Sequence, residues 1–427
     1  MIAPYFVPRR RVGSLRPYKF TTHLQRFGWK PFIFTIGSTN SNFSEIERTS
    51  LEGVEIHRIN PPFDRTSGSQ PITEPKDTGG IVSEWSHSLA DWFDRQIPMD
   101  SWILLFRGAY SKILKEARSI DPTLIWSTGD PWSGHWVGHK LSNDLNKPWI
   151  ADFRDPWTLS GLSLRNRSAF SNKIDRYLEK KFIHEADKVV FTSKATERLY
   201  SDHYSLESAK TDTVYNSYND YDLDINNAGD TTNELTINKE KLNILFFGSF
   251  RRLSPAKPIA EALAGLPSDI RNEIRIHSFG QLMDDDRQFI DARNVEYCFK
   301  THKKVLPERA PLIFAQADVL LVSTSSERES IIPAKLWEYL TSDKPILSIA
   351  PNPEIGKILE ETGAGVQIAG SKTDKISDLL QMMVKKKKEG QPLFGTERDL
   401  NAIEQYSSEN TTRKLAQIMN TLAGDEQ

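Results

Sequence analysis

From Pro31 onward the chain alternates short apolar runs with stretches in which apolar residues recur three and four apart. In the first half, residues 32–36, 54–59, 123–127, 149–152 and 188–192 read as strands. Residues 15–27, 101–119, 133–143 and 172–186 carry the helical period between them. A polar stretch, 226–241, breaks the rhythm and reads as a linker. A second series follows, with strands expected at 243–247, 274–279, 295–298, 319–322, 345–349 and 365–368 and helices at 306–317 and 333–341 among them. Steady alternation of this kind predicts parallel sheets covered by helices, hence an α/β chain of two Rossmann-like, doubly wound domains. The expected boundaries are 1–222 for the first domain, 223–241 for the linker and 242–400 for the second domain. Residues 401–427 end the chain as a helix in which Leu415, Ile418, Met419 and Leu422 form one apolar face, expected to pack back on the first domain. The first domain begins abruptly: only Met1 to Pro4 precede a loop, so the expectation is either a true start upstream or a first sheet with a stub at its centre.

Composition narrows the function classes. With 38% hydrophobic and 26% charged residues, the 427-residue chain reads as an ordinary water-soluble protein. A formal net charge of -2 argues against a general nucleic-acid binder, although Arg9, Arg10 and Arg11 form a local basic patch. Cys298 is the lone cysteine, which excludes an intramolecular disulfide and a cysteine-based metal cluster. The densest apolar stretch, 102–106, falls far short of the roughly 20 residues needed to span a bilayer. The N-terminus also lacks a signal-peptide layout, and the expectation is a cytoplasmic protein.

Doubly wound domains place ligands at the carboxyl ends of their strands, so the residues after each strand are the candidates. After 243–247 come Gly248, Arg251, Arg252 and Lys257; glycine admits close backbone approach to a phosphate and the cations neutralise it. The bland reading is a tight turn with solvated basic residues. Further along, Ser330, Ile331, Ile332 and Pro333 lead into a helix, with Pro333 in its first turn and Ser330 or a neighbour as cap. Its N–H groups would face an anion, and Glu338 could accept from a ribose diol or simply pair with Lys335 on an exposed face. In the first domain, His135 falls near a helix start and is expected to face the crevice rather than the core. Asp152, Arg154 and Asp155 follow a strand, where they could bind an acceptor hydroxyl or form an internal salt bridge. The Asp-x-Asp pairs Asp220/Asp222 and Asp222/Asp224, and the run Asp284 to Asp286, read as solvated loop residues rather than metal ligands.

Four segments resemble glycosyltransferase family 4. "IIPAKLWEYLTSDKPIL" is similar to the family's donor-binding helix, and "VGSLRPYKF", "ADFRDPW" and "VYNSYND" resemble stretches of its bacterial members, in the expected order. The resemblance implies the GT-B fold, with a cleft between two Rossmann-like domains, and retaining, metal-independent transfer from a nucleotide diphosphate sugar with no further cofactor. It further implies that Glu338 holds the donor ribose, Arg252 and Lys257 grip the diphosphate, Gly13 lies beside it, His135 contacts the transferring sugar and His302 lies near the base. The family's E-x7-E pattern is broken, because Ser330 stands where the first acid would be and Glu329 is one place off.

The reading that follows is a front-face displacement. Arg252, Lys257 and the N–H groups of Ile331 and Ile332 would stabilise the leaving diphosphate, with His135 positioning the sugar and domain closure excluding water. The acceptor is expected to be a glycan or lipid-linked sugar of bacterial cell-surface polysaccharide. The aromatic region 85–102, with Trp92, Phe93 and Trp102, raises a peripheral association with the inner face of the membrane. Two rivals keep the fold: a nucleotide-sugar epimerase, which needs no acceptor, and an inactive partner that binds donor or glycan.

Overall fold

The computed structural model describes residues 1–8, 12–37, 45–60, 95–160, 167–218, 237–305, 309–395 and 397–424. Arg9 to Arg11, Trp85, Trp92, Phe93 and Asp220 to Asp224 lie outside them. The chain divides into two compact units, one of Met1–Tyr215 with Ser408–Gln427, the other of Asn216–Ser407.

The first unit is built on parallel strands β1 (Phe32–Ile36), β2 (Glu55–Ile59), β3 (Ile125–Gly129), β4 (Trp149–Phe153), β5 (Lys188–Phe191) and β6 (Thr211–Thr213). Pairing runs β1-β2 on one side and β3-β4-β5-β6 on the other. The N-terminal stub joins them, because Ile2 bridges to both Phe34 and Ser127 in parallel register. Ile2 N–H donates to Trp126 O at 2.7 Å and Ala3 N–H to Phe34 O at 3.0 Å; Phe34 N–H donates to Met1 O at 2.9 Å and Thr128 N–H to Ile2 O at 3.2 Å. Three residues thus satisfy both inner edges, and the sheet has no gap at its centre.

Helices cover both faces, and their ends are set by local chemistry. Ser168 caps the helix Ala169–Glu185 by accepting from Ser171 N–H, and Ser193 caps Lys194–Tyr204 by accepting from Thr196 N–H. Glu179, fully buried in the first of these, accepts from Tyr200 Oη at 2.5 Å, from Tyr204 Oη at 2.8 Å and from the Thr158 hydroxyl. Its desolvation raises the carboxyl pKa, and these donors tie two helices to the loop after β4.

The last helix begins at Ser408 rather than 401: Leu400–Glu404 is a separate short helix of the second unit, started by Asp399 accepting from Ala402 N–H. In Ser408–Ala423, Leu415, Ala416, Ile418 and Met419 are buried with Phe20, Leu24, Trp126, Ile150, Val190 and Val214. The i, i+3, i+4 face therefore completes one side of the first unit's sheet.

The second unit is one six-stranded parallel sheet, β12-β11-β10-β7-β8-β9. Its strands are β7 (Leu242–Phe246), β8 (Ile274–Phe279), β9 (Phe299–His302), β10 (Val319–Ser323), β11 (Ile346–Ile349) and β12 (Gly365–Ile368). Ile244, Phe246, Ile276, Leu321 and Leu347 pack with Leu263 and Leu380 of the flanking helices. Two expectations fail here. Residues 296–298 are a 3-10 turn that anchors buried Val295 and Cys298 beneath the sheet, and the strand follows at Phe299–His302. Its half-exposed edge position removes the apolar run on which a strand reading depends. The helix expected over 306–317 spans Ala310–Phe314, and 306–308 lie outside the described residues. Among the described residues no helix is long and apolar enough to cross a membrane.

Strand β7, first in its unit, lies between β8 and β10, so the strand order reverses there. A doubly wound sheet opens a crevice at the carboxyl ends of the strands flanking such a reversal.

Candidate functional site

Two loops meet the second unit's switch point, one after β7 and one after β10. The β7 loop starts at Gly248, whose φ of +141° is a conformation only glycine adopts without strain. It is pinned on all sides. Ser249 Oγ accepts from Gln281 N–H at 2.9 Å, and Met283 N–H donates to Phe250 O at 3.2 Å. Arg251 and Ser254 exchange backbone bonds of 3.0 and 2.7 Å, and Ser323 Oγ donates to Pro255 O at 2.6 Å. These bonds fix the basic loop's conformation from several neighbouring segments.

The β10 loop departs from expectation. Ser326–Arg328 is a 3-10 turn, and Ile331 N–H donates to Arg328 O at 3.1 Å, so that group is already used. Ile332 is buried. The helix is the seven-residue Ala334–Leu340, with Pro333 at the N-cap position at ψ 139° and no side-chain cap; Ser330 does not serve. Proline lacks an N–H and here takes an extended ψ, so the helix starts one residue later than its first-turn preference suggests. Tyr339 Oη accepts from Phe247 N–H at 2.8 Å and fastens this helix to the end of β7.

Lys335, by its spacing a partner for Glu338 on an exposed face, is neither exposed nor paired among the described residues. Its Nζ lies 3.8 Å from the centroid of the Phe246 ring and 2.6 Å from where a Cβ on Gly248 would stand. Burial, reinforced by Arg251 and Arg328 and opposed by Glu338, lowers its pKa to about 7. Arg252 points elsewhere: it is 54% exposed and pairs with Glu327 at 3.1 Å. Lys257 heads the helix Lys257–Ala264, exposed, with Nζ 5.6 Å from the Phe289 ring. His302 is engaged with His277 (Nε2 to Nδ1, 3.0 Å), which in turn meets Asn243 Oδ1 at 3.1 Å. Burial lowers the pKa of both rings, that of His277 to about 4. His302 stacks on Phe279, which packs against Phe247 at the root of the Gly248 loop.

In the first unit, Asp152 is fully buried and its oxygens are taken. Arg16 bonds them at 2.7 and 3.0 Å and Thr128 Oγ1 at 2.8 Å, while Arg16 also donates to Tyr215 O. This is the internal salt bridge of the two readings, with Arg16 an unforeseen partner. Arg154 and Asp155 stay together, Nε to Oδ2 at 3.1 Å. Gly13 lies against that guanidinium, which any Cβ there would overlap. The buried Nη1 of Arg154 has no hydrogen-bond partner. Burial works against its charge, but Asp155, Asp130 and Asp152 outweigh it and hold the pKa above the ordinary arginine value.

His135 is fully buried rather than crevice-facing, third in the helix Ser133–Leu145 and stacked on Phe153 at 4.6 Å. Asp100 accepts from Ser133 N–H at 2.8 Å and so serves the helix start in place of a neighbouring cap; burial raises its pKa to about 6. Ser127 Oγ accepts from Trp149 Nε1 at 2.8 Å and lies 2.9 Å from His135 Nδ1. The hydroxyl keeps its proton and a second lone pair, so the roles in this contact follow the ring's tautomer: with the ring proton on Nε2, Nδ1 accepts from the hydroxyl. The buried Nε2 has no hydrogen-bond partner among the described residues and lies beside Gly129. Burial drops the ring's pKa to about 3, so the ring is neutral. Asp284, Asp285 and Asp286 form the first turn of Asp284–Asp291, where Asp286 accepts from Ala256 N–H at 3.0 Å.

The two parallel sheets and their loops are those of the GT-B fold. More narrowly, residues 53–220 match the sequence profile described as Glycosyltransferase Family 4, which confirms the resemblance over that segment. A sucrose-phosphate synthase from Thermosynechococcus elongatus is similar with a TM-score of 0.62 at 14% identity, over 96% of this chain and 92% of that one. Anabaena HepE, solved with UDP-glucose, gives 0.58 at 12% identity over 95% of each chain. The lipopolysaccharide outer core galactosyltransferase WaaB gives 0.56 at 10% identity over 96% of each. No protein of curated function matches the sequence.

Proposed function

We propose that this protein transfers a glycosyl group from a nucleotide diphosphate sugar to a hydroxyl of a glycan or lipid-linked acceptor, with retention and without a metal. The observation that carries the donor half is the rigid, cation-bearing Gly248 loop at the second unit's switch point. HepE, of similar fold, was solved with UDP-glucose, which favours a uridine donor here. A thermal-shift screen across nucleotide sugars tests it: a selective rise with one donor is the expected result, and no rise with any donor sinks the reading.

Charge leaving on the diphosphate would be met by Arg252, after release from Glu327, and by Lys257. Glu338 would accept from the ribose. The neutral Nε2–H of His135 offers a hydrogen bond to a hydroxyl of the transferring sugar and takes no proton. With no base assigned, the acceptor proton passes to the departing diphosphate oxygen on the same face of the sugar, which is the geometry of retention. Product anomers read by NMR check this, since an inverted linkage contradicts it. Activity surviving an excess of chelator is expected; its loss would restore the metal to the mechanism. We place the work at the cytoplasmic face of a membrane, in cell-surface polysaccharide assembly. Liposome flotation that leaves all protein in solution counts against that placement.

Ser330, standing where an acid is expected, favours one other reading: a partner protein that binds donor or glycan without turnover. Tight nucleotide binding with no transfer to any acceptor would select it.

A further inference from the structure

The Lys335 ammonium is the least accounted-for charge in the second unit. Among the described residues it makes no hydrogen bond and no ion pair, and it lies over the face of Phe246. A nearly buried ammonium without an anion is costly, and a single aromatic face returns only part of that cost. The groups facing it are Arg251 from the β7 loop, Arg328 from the β10 loop and Glu338 from its own helix. Two of the three are cations, so the protein around it is arranged against the charge. Such an arrangement persists where an anionic ligand completes it. The ligand's place is defined from below: Gly248 has no side chain, and a Cβ there would stand 2.6 Å from Nζ. An anion approaching the Gly248 backbone therefore meets Lys335 directly. Arg252, by contrast, is more than half exposed and already holds a carboxylate.

We infer that Lys335 also binds the donor's diphosphate directly, over Gly248, beside Arg252 and Lys257 and with Arg251 and Arg328 as flanking cations. This rests on the nucleotide-sugar reading above and adds a buried anion contact to it. Two consequences set it apart from a lysine that merely fills space. Removing the charge relieves the free protein while weakening the ligand, because a buried unpaired cation is replaced by apolar packing. Binding near pH 8 also draws in close to one proton, as the anion restores the ammonium, so affinity falls about tenfold per pH unit above 7.

The test compares wild type, Lys335→Met and Lys335→Gln by calorimetric titration with UDP, UMP and inorganic pyrophosphate, in two buffers of different ionisation enthalpy at pH 8. Expected are proton uptake by wild type, a tenfold or greater loss of UDP and pyrophosphate affinity in both variants, a smaller loss for UMP, and an unchanged or raised Tm for Lys335→Met. Variants that bind UDP within twofold of wild type, or wild-type binding without proton uptake, overturn the assignment. Should Lys335→Met fail to fold, the wild-type proton count and Lys335→Gln decide alone. Pyrophosphate binding that depends on Lys335, with UDP, ADP and GDP all refused, would keep the anion site and sink the sugar-donor reading instead. Refusal of pyrophosphate as well would sink both.

Discussion

Gly248 joins two constraints that seldom fall on one atom. Its φ excludes other residues, and its missing side chain makes room for an ammonium. Gly248→Ala should therefore lose about 1–3 kcal/mol of stability from backbone strain and also block the site. The check is a lowered Tm together with UDP binding weakened more than stability alone explains. His135 gives a prediction of different sign. Its folded pKa of about 3 lies below the ordinary 6.5, so between these values the unfolded chain binds a proton that the native state refuses. Its effect is absent above pH 6.5, and stability is lost as pH falls through the interval, by roughly 2–3 kcal/mol at pH 4.5. Urea midpoints at pH 7 and pH 4.5 should converge in His135→Gln, and an unchanged slope would contradict the burial argument.

These residues also show how far single positions could be read. The place of Gly248 and its basic neighbours in a loop after a strand was legible, because a strand followed by glycine and cations is a local pattern. Lys335 was not, because a lysine three before a glutamate on a helix looks like a solvated pair. Only the packing of that helix on Phe246 turns it inward. For Asp152 the salt bridge was one of two open readings, but its partner was out of reach: Arg16 lies far back along the chain, and no spacing rule connects them.

At the scale of elements, the period of apolar residues located most strands, since parallel strands covered on both faces are continuous apolar runs. It misplaced β9, the half-exposed edge of its sheet, where that signal disappears. The final helix was visible from its stripe, and its burial yields a direct test. Leu415 is fully buried among Phe20, Trp126 and their neighbours. Leu415→Ala should cost roughly 2–5 kcal/mol, measured as the first unit's loss of stability in urea, and a change below 1 kcal/mol would mean that the face is not packed as described.

For the whole molecule, two units with separate cores need not melt as one. Calorimetry of the protein alone and with saturating UDP should show the donor raising the transition of the second unit, by RT ln(1 + [L]/Kd) in free energy. Leu415→Ala should instead lower that of the first unit. A single transition that responds identically to both would contradict independent cores. The two-unit plan itself was readable from the break in alternation between the two series of strands. That the chain returns to its first unit at Ser408 was suggested by one apolar stripe and the resemblance, and by nothing in the strand pattern.

That return has a consequence for synthesis. The first unit holds Met1 to Ala3 at the centre of its sheet and Leu415 to Met419 across one face. On a translating ribosome, the second unit can close its core while the first still waits with Phe20, Leu24 and Trp126 uncovered. The part of the protein made first is thus finished last. A polypeptide arrested shortly before its final helix would leave a completed second unit tethered to an exposed apolar face, the kind of surface on which chaperones and proteases act.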